Sequence, residues 1–284
     1  MTIPWEAVLK AAAAVLLAPV IGALIMGVDR RITARMQSRI GPPLLQPFYD
    51  IIKLLRKQPV VVNRIQVLYV VLHLAFMVLA TILFVFGKDS LMFLFILAFS
   101  TLSLVLGGMS VRSPYSRIGS QREIILMVAY EPILILVIVG FYLTTGSFQF
   151  RDILNHQPLL THLPLLFLAY LLVVMIKMQK SPFDIATSHH AHQELIKGIT
   201  IEYSGPYLAI IEITLCYETA LFLALAGLFW SSNPWMAAVL ALVAFLVAVV
   251  ADNVCARMRT LSVFKLLWTF GLGLALTNII WLYW

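Results

Sequence analysis

Four glutamates stand inside or at the mouth of long apolar runs: Glu123, Glu131, Glu212 and Glu218. A carboxylate near the centre of a helix in lipid costs about 2.5–3.5 kcal/mol on insertion scales, so each of them needs a reason. Glu123, Met127 and Glu131 follow the i, i+4, i+8 spacing that puts both glutamates on one helical face, within about 12 Å of rise. Glu212 and Glu218 are separated by about 9 Å of rise and point to different faces. Each could pair with a cation or hydroxyl in a helical bundle. Four such groups on two helices favour a different chemistry, a chain of proton-exchanging sites.

A second concentration lies in KMQKSPFDIATSHHAHQELIKGITIEYSG, which holds Asp184, His189, His190, His192, Glu194 and Glu202 within 19 residues. Histidine titrates near neutral pH, so a proton-buffering patch suits this loop. A metal site is the weaker reading, because the histidines occupy one short segment with no second ligand cluster elsewhere. The two cysteines, Cys216 and Cys255, form no CxxC pair and cannot build a four-cysteine zinc or iron–sulfur site. The expectation is therefore no metal, no cofactor and no catalytic residue on this chain.

The elements that must position these groups follow from composition. The chain of 284 residues is 62% hydrophobic and only 12% charged, against about 25% charged in soluble domains. A soluble enzyme is excluded, and an all-α polytopic membrane protein remains. Stretches bounded by charges and by the turn Ser231-Ser232-Asn233-Pro234 define eight spans, near 7–28, 66–86, 91–111, 123–144, 161–178, 206–230, 234–251 and 263–283. They form one membrane domain over 1–284. The first run lacks a basic leader region and reads as a span, not a signal peptide.

Seventeen of the 20 Lys and Arg fall in or beside the connections 29–65, 112–122, 179–205 and 252–262, with Lys177 counted among the loop cations. This asymmetry puts those connections in the cytoplasm and both termini outside the cell membrane. The net charge of +7 is then a topology signal and not a mark of nucleic-acid binding. No lysine falls near the centre of a span, which argues against an independent cation/proton antiporter. Within the first connection, Leu44, Leu45, Phe48, Ile51, Ile52 and Leu55 line one face of a short helix too short to span, so it should lie along the membrane interface.

Three segments carry a resemblance. DRRITARMQSRIGPPLLQPFYDIIKLL is similar to the opening of the complex I membrane subunit beside the quinone chamber, the respiratory-chain subunit 1 family. SPFDIATSHHAHQELIKGITIEYSG resembles that family's Pro-Phe-Asp, Glu-Leu-x-x-Gly and Glu-Tyr-Ser signature, and GSQREIILMVAYEP its membrane glutamate helix. Quinone-linked members carry acidic residues where this chain has Ala-Thr-Ser-His-His-Ala-His-Gln. That departure, with Asp29-Arg30-Arg31 and Arg122-Glu123, looks like the branch found in energy-converting membrane-bound nickel–iron (NiFe) hydrogenases. The resemblance implies a membrane anchor that couples hydrogen and ferredoxin chemistry to ion movement. The NiFe centre and iron–sulfur clusters would sit on a nickel-binding large subunit and an iron–sulfur small subunit, beside an antiporter-like membrane subunit. Asp184, Glu194 and Glu202 would occupy the coupling loop, Glu131 and Glu212 the membrane axis, and Glu218 has no motif match. Arg30, Arg35, Arg39, Phe48 and Ile52 are the candidates for partner docking. The alternative is the quinone-chamber subunit of a complex I-like dehydrogenase.

Overall fold

The computed structural model describes residues 5–186 and 198–283, and among them there is no β-strand. In chain order the helices are α1 (Trp5–Met36), α2 (Gln46–Leu55), α3 (Arg64–Val85), α4 (Ser90–Met109), α5 (Pro114–Thr145) and α6 (Phe150–Leu154). They continue with α7 (Pro164–Lys177), α8 (Gly205–Leu228), α9 (Pro234–Val254), α10 (Thr260–Leu266) and α11 (Leu272–Tyr283). A π-helical segment, Leu267–Gly271, joins α10 to α11 into one span. Among the described residues seven helices are long and apolar enough to cross a membrane, and α7 is a shorter eighth. The protein is a multi-pass membrane protein.

Local chemistry sets the starts. Asn63, Asp89 and Asn233 accept hydrogen bonds from the first backbone N–H groups of α3, α4 and α9. Proline opens α2, α5, α7, α8 and α9, where its missing N–H costs nothing. Two helices outrun the charge-bounded spans. α1 continues to Met36, through Asp29, Arg30, Arg31 and Arg35, because no helix breaker occurs before Gly41-Pro42-Pro43. α5 starts at Pro114, so Glu123 sits in its third turn and not at its entrance. Charge marks where the membrane ends, not where the helix does.

The connections alternate between two ends. At the basic end, Val60 meets Ser204, Asn63 meets Ser110, Arg122 meets Ile185 and Arg257 meets Asp184. At the other end, Ser90 meets Phe148, Leu160 meets Phe229 and Asn278 meets His162. The short α6, which the spacing did not anticipate, seals that second end by setting Phe150 edge-on against Phe84 and Phe93.

The bundle is built around α7. It packs against α5, α8, α9 and α11, and all but a few of its residues are buried. At 14 residues it rises only about 21 Å, less than a hydrocarbon core of about 30 Å. Enclosure by protein makes this tolerable, because its irregular ends find hydrogen bonds inside the bundle and not in lipid. α1 and α9 instead turn broad apolar faces outward.

Candidate functional site

Lys177, the last residue of α7, is the hub of the interior. Its Nζ donates to Glu218 Oε1 at 2.7 Å and to Thr101 Oγ1 at 3.1 Å. It also lies 4.5 Å from the Tyr130 ring centre and 5.5 Å from that of Phe222, within cation–π range. Helices α4, α5, α7 and α8 therefore converge on one ammonium. Glu123 of α5 lies in the electrostatic field of both Lys177 and Glu218. With them it lines a cleft of about 310 Å³, whose other wall is Phe183, Asp184, Ile185 and Ala186.

This corrects the reading of Lys177 as a loop cation. It is only 6% exposed and belongs to the protein interior. Four glutamates in apolar helices demanded a counter-charge, and a lysine closing a long uncharged run was the one signal available. Glu218, which had no motif match, is its direct partner. Glu131 is half-buried, lies in the field of Lys177, and has one carboxylate oxygen without a hydrogen-bond partner among the described residues. Glu212 belongs to another side of α8. One turn on, Cys216 rests its backbone on Gly22 of α1 and its Sγ lies 3.7 Å from Met26 Sδ.

Three residues beyond Lys177, a second lysine has its own cage. Lys180 Nζ donates to Asp29 at 2.6 Å and to Asp252 at 3.1 Å, and the Ser181 N–H donates to Asp252 at 2.9 Å. Burial works against the Lys180 charge, but the two aspartates outweigh it and hold its pKa above the ordinary lysine range. Arg257 lies 3.8 Å from Asp184 and donates to its carbonyl, and Met258 N–H donates to Pro182. The start of the fifth connection, 179–205, is thus fastened to α1 and to the turn after α9. Its far end returns through Gly198–Thr200 so close to Gly119 of α5 that a Cβ there would meet Ile199 N at 2.3 Å.

Of the other coupling-loop residues, Glu202 is half-buried, while His189, His190, His192 and Glu194 lie outside the described residues. Among the docking candidates, Arg30 is bonded to Asp50 of α2 at 2.7 Å, Phe48 is half-buried, and Arg35, Arg39 and Ile52 are exposed. Two features escaped sequence reasoning. His73 of α3 is buried and its Nδ1 lies 2.8 Å from the Ser100 carbonyl of α4, a clasp invisible in spacing. An open pocket lies beside the Lys180 cage, lined by Met26, Asp29, Met178, Lys180, Leu215 and Asp252 among others.

Residues 9–283 match the family model described as NADH dehydrogenase. The chain belongs to this family. Among NADH dehydrogenase family members it is 32% identical to "Hydrogenase-4 component C" of Escherichia coli (strain K12), over 92% of this chain and 90% of that one. It is 29% identical to the H component of the NADH-quinone oxidoreductase of Thermomicrobium roseum, over 88% and 87%. A solved chain of the membrane-bound sulfane sulfur reductase, an archaeal respiratory membrane complex, superposes with a TM-score of 0.85 over 98% of this chain and 99% of that one. At 24% identity, that likeness is one of fold. The family assignment makes the protein a complex I-like membrane subunit whose homologues work in multi-subunit respiratory complexes.

Proposed function

We propose that this chain is the membrane anchor and coupling subunit of an energy-converting NiFe hydrogenase complex. The observation that carries the reading is the buried Lys177–Glu218 pair, with Glu123 in the same cleft and the fifth connection as its wall. An ion pair removed from water is stable only while both charges are present. A proton taken by Glu218 leaves the Lys177 ammonium without its counter-charge, and Glu123 is the carboxylate within its field to replace it. Proton arrival and rearrangement of the pair are thereby one event. Glu131 and Glu212 continue the relay along α5 and α8. The chain itself carries no electrons in this scheme; the NiFe centre and iron–sulfur clusters belong to a nickel-binding and an iron–sulfur subunit, with an antiporter-like subunit beside it in the membrane.

The basic end faces the cytoplasm in this reading, with both termini outside, and exposed Arg35 and Arg39 steer an acidic soluble module to it. The similarity to a hydrogenase-4 component supports a hydrogenase over other complexes. The test is to isolate the intact complex through this chain. Nickel together with hydrogen-driven reduction of an artificial acceptor is the expected result. A nickel-free complex that reduces quinone would sink the hydrogenase reading in favour of the quinone-chamber alternative, which the pocket beside Lys180 and the NADH-quinone oxidoreductase relatives support.

A further inference from the structure

The apolar residues of α2 do not all face one way. Pro47 is buried and Ile51 and Leu54 are half-buried, on the side that packs against α1 and α8, where Asp50 also receives Arg30. Leu45, Ile52 and Leu55 lie on the outer side, each about half exposed. At about 100° per residue this outer arc runs on into Arg56, Lys53 and Lys57, all exposed. Among the described residues none of these three cations is ion-paired, and the one carboxylate of α2 is already engaged by Arg30.

The outer arc is also continuous with a lipid-facing surface. The Leu44 backbone approaches Gly27 of α1 so closely that a Cβ on Gly27 would meet the Leu44 carbonyl oxygen at 2.0 Å. Leu24 and Val28, on either side of that glycine, are exposed apolar residues of a spanning helix, and Leu44 is exposed beside them. An apolar edge that runs out of the membrane-facing wall of α1 and ends in a row of free cations has the pattern of a helix lying at the headgroup level.

We propose that the outer edge of α2 is a binding surface for anionic phospholipid, with Leu45, Ile52 and Leu55 in the acyl region and Lys53, Arg56 and Lys57 on phosphate headgroups. A soluble acidic partner, the occupant suggested by Ile52 as a docking residue, is the competing outcome.

The purified full chain is reconstituted into vesicles of phosphatidylcholine alone or of phosphatidylcholine mixed with phosphatidylglycerol, and acylation of its lysines is followed by mass spectrometry. Lys53 and Lys57 should be protected several-fold in the mixed vesicles relative to Lys88, which reports the general effect of an anionic surface. High salt should erase the difference. In Lys53→Gln, Arg56→Gln and Lys57→Gln variants, phosphatidylglycerol retained through purification should fall about five-fold for each cation removed. Equal labelling in the two lipids overturns the proposal without reliance on any variant. Protection that appears only in the assembled complex, whatever the lipid, overturns it in favour of a protein partner.

Discussion

Two lysines three residues apart are both buried and both held by carboxylates, yet their cages differ in kind. Lys180 has both its carboxylates engaged: two aspartates from α1 and α9 take its ammonium, and one of them also accepts the next backbone N–H. Lys177 has one direct carboxylate, one hydroxyl, two aromatic rings and a second carboxylate in the same cleft. A cage whose carboxylates are both engaged has a single arrangement and acts as a fastening. A cage with a spare carboxylate offers two arrangements, which is what the proposed relay requires.

The comparison breaks most visibly at Asp252. Asp252→Ala takes one of two carboxylates from Lys180, leaving Asp29 to face the ammonium, and strips the Ser181 N–H of its acceptor, which costs about 1–3 kcal/mol for a desolvated donor left unsatisfied. The chain should be depleted from membranes and melt at lower temperature in detergent. Glu218→Gln should behave differently, since Glu123 remains to balance Lys177. The complex should assemble, electron transfer to artificial acceptors should survive, and membrane-linked turnover should fall at least about ten-fold, the rate equivalent of about 1.4 kcal/mol. If Glu218→Gln instead loses assembly as Asp252→Ala does, the two cages are the same kind of fastening and the relay is wrong. Glu131→Gln and Glu212→Gln keep shape and remove the titrating proton, so coupling and ion gradient should decline together with assembly intact. Loss of assembly in both, with normal coupling in what remains, makes them packing partners.

The smallest effect concerns pH. The Lys180 pKa is raised above the ordinary 10.5, so its cage contributes fully below the unfolded value and is lost as pH rises through the folded one. Thermal stability of the wild type should show no contribution from this cage's titration between neutral and mildly alkaline pH, and lose it only beyond that ordinary value. A Lys180→Met variant should lack the alkaline step. An identical alkaline step in that variant would assign it to another group.

Much of this architecture was legible because lipid is an unforgiving solvent. Uncharged runs between Arg64 and Lys88 or Asp89 and Arg112 admit little besides a spanning helix. What stayed hidden required a neighbour. Lys177 pairs with a glutamate 41 residues away on α8, and no spacing rule connects them. The stripe of α2 was visible, but not its division, because a helical wheel cannot tell apolar contact with protein from apolar contact with lipid. Asp29 and Asp252 looked like charges that end a span, and only the packing of α1 against α9 shows that they share a lysine.

The overrun of α1 gives the molecule a mechanical property. A helix of 32 residues is about 48 Å long, so about 18 Å of it stands beyond a hydrocarbon core of about 30 Å when upright. Arg35 near its tip and Asp29 at the Lys180 cage are separated by about 9 Å of continuous helix, with no loop between them to absorb a displacement. A tilt of α1 at Arg35 therefore also moves Asp29. From there it passes through Lys180 into the backbone that holds Lys177. The rod makes contact at the surface and charge placement in the interior parts of one rigid motion.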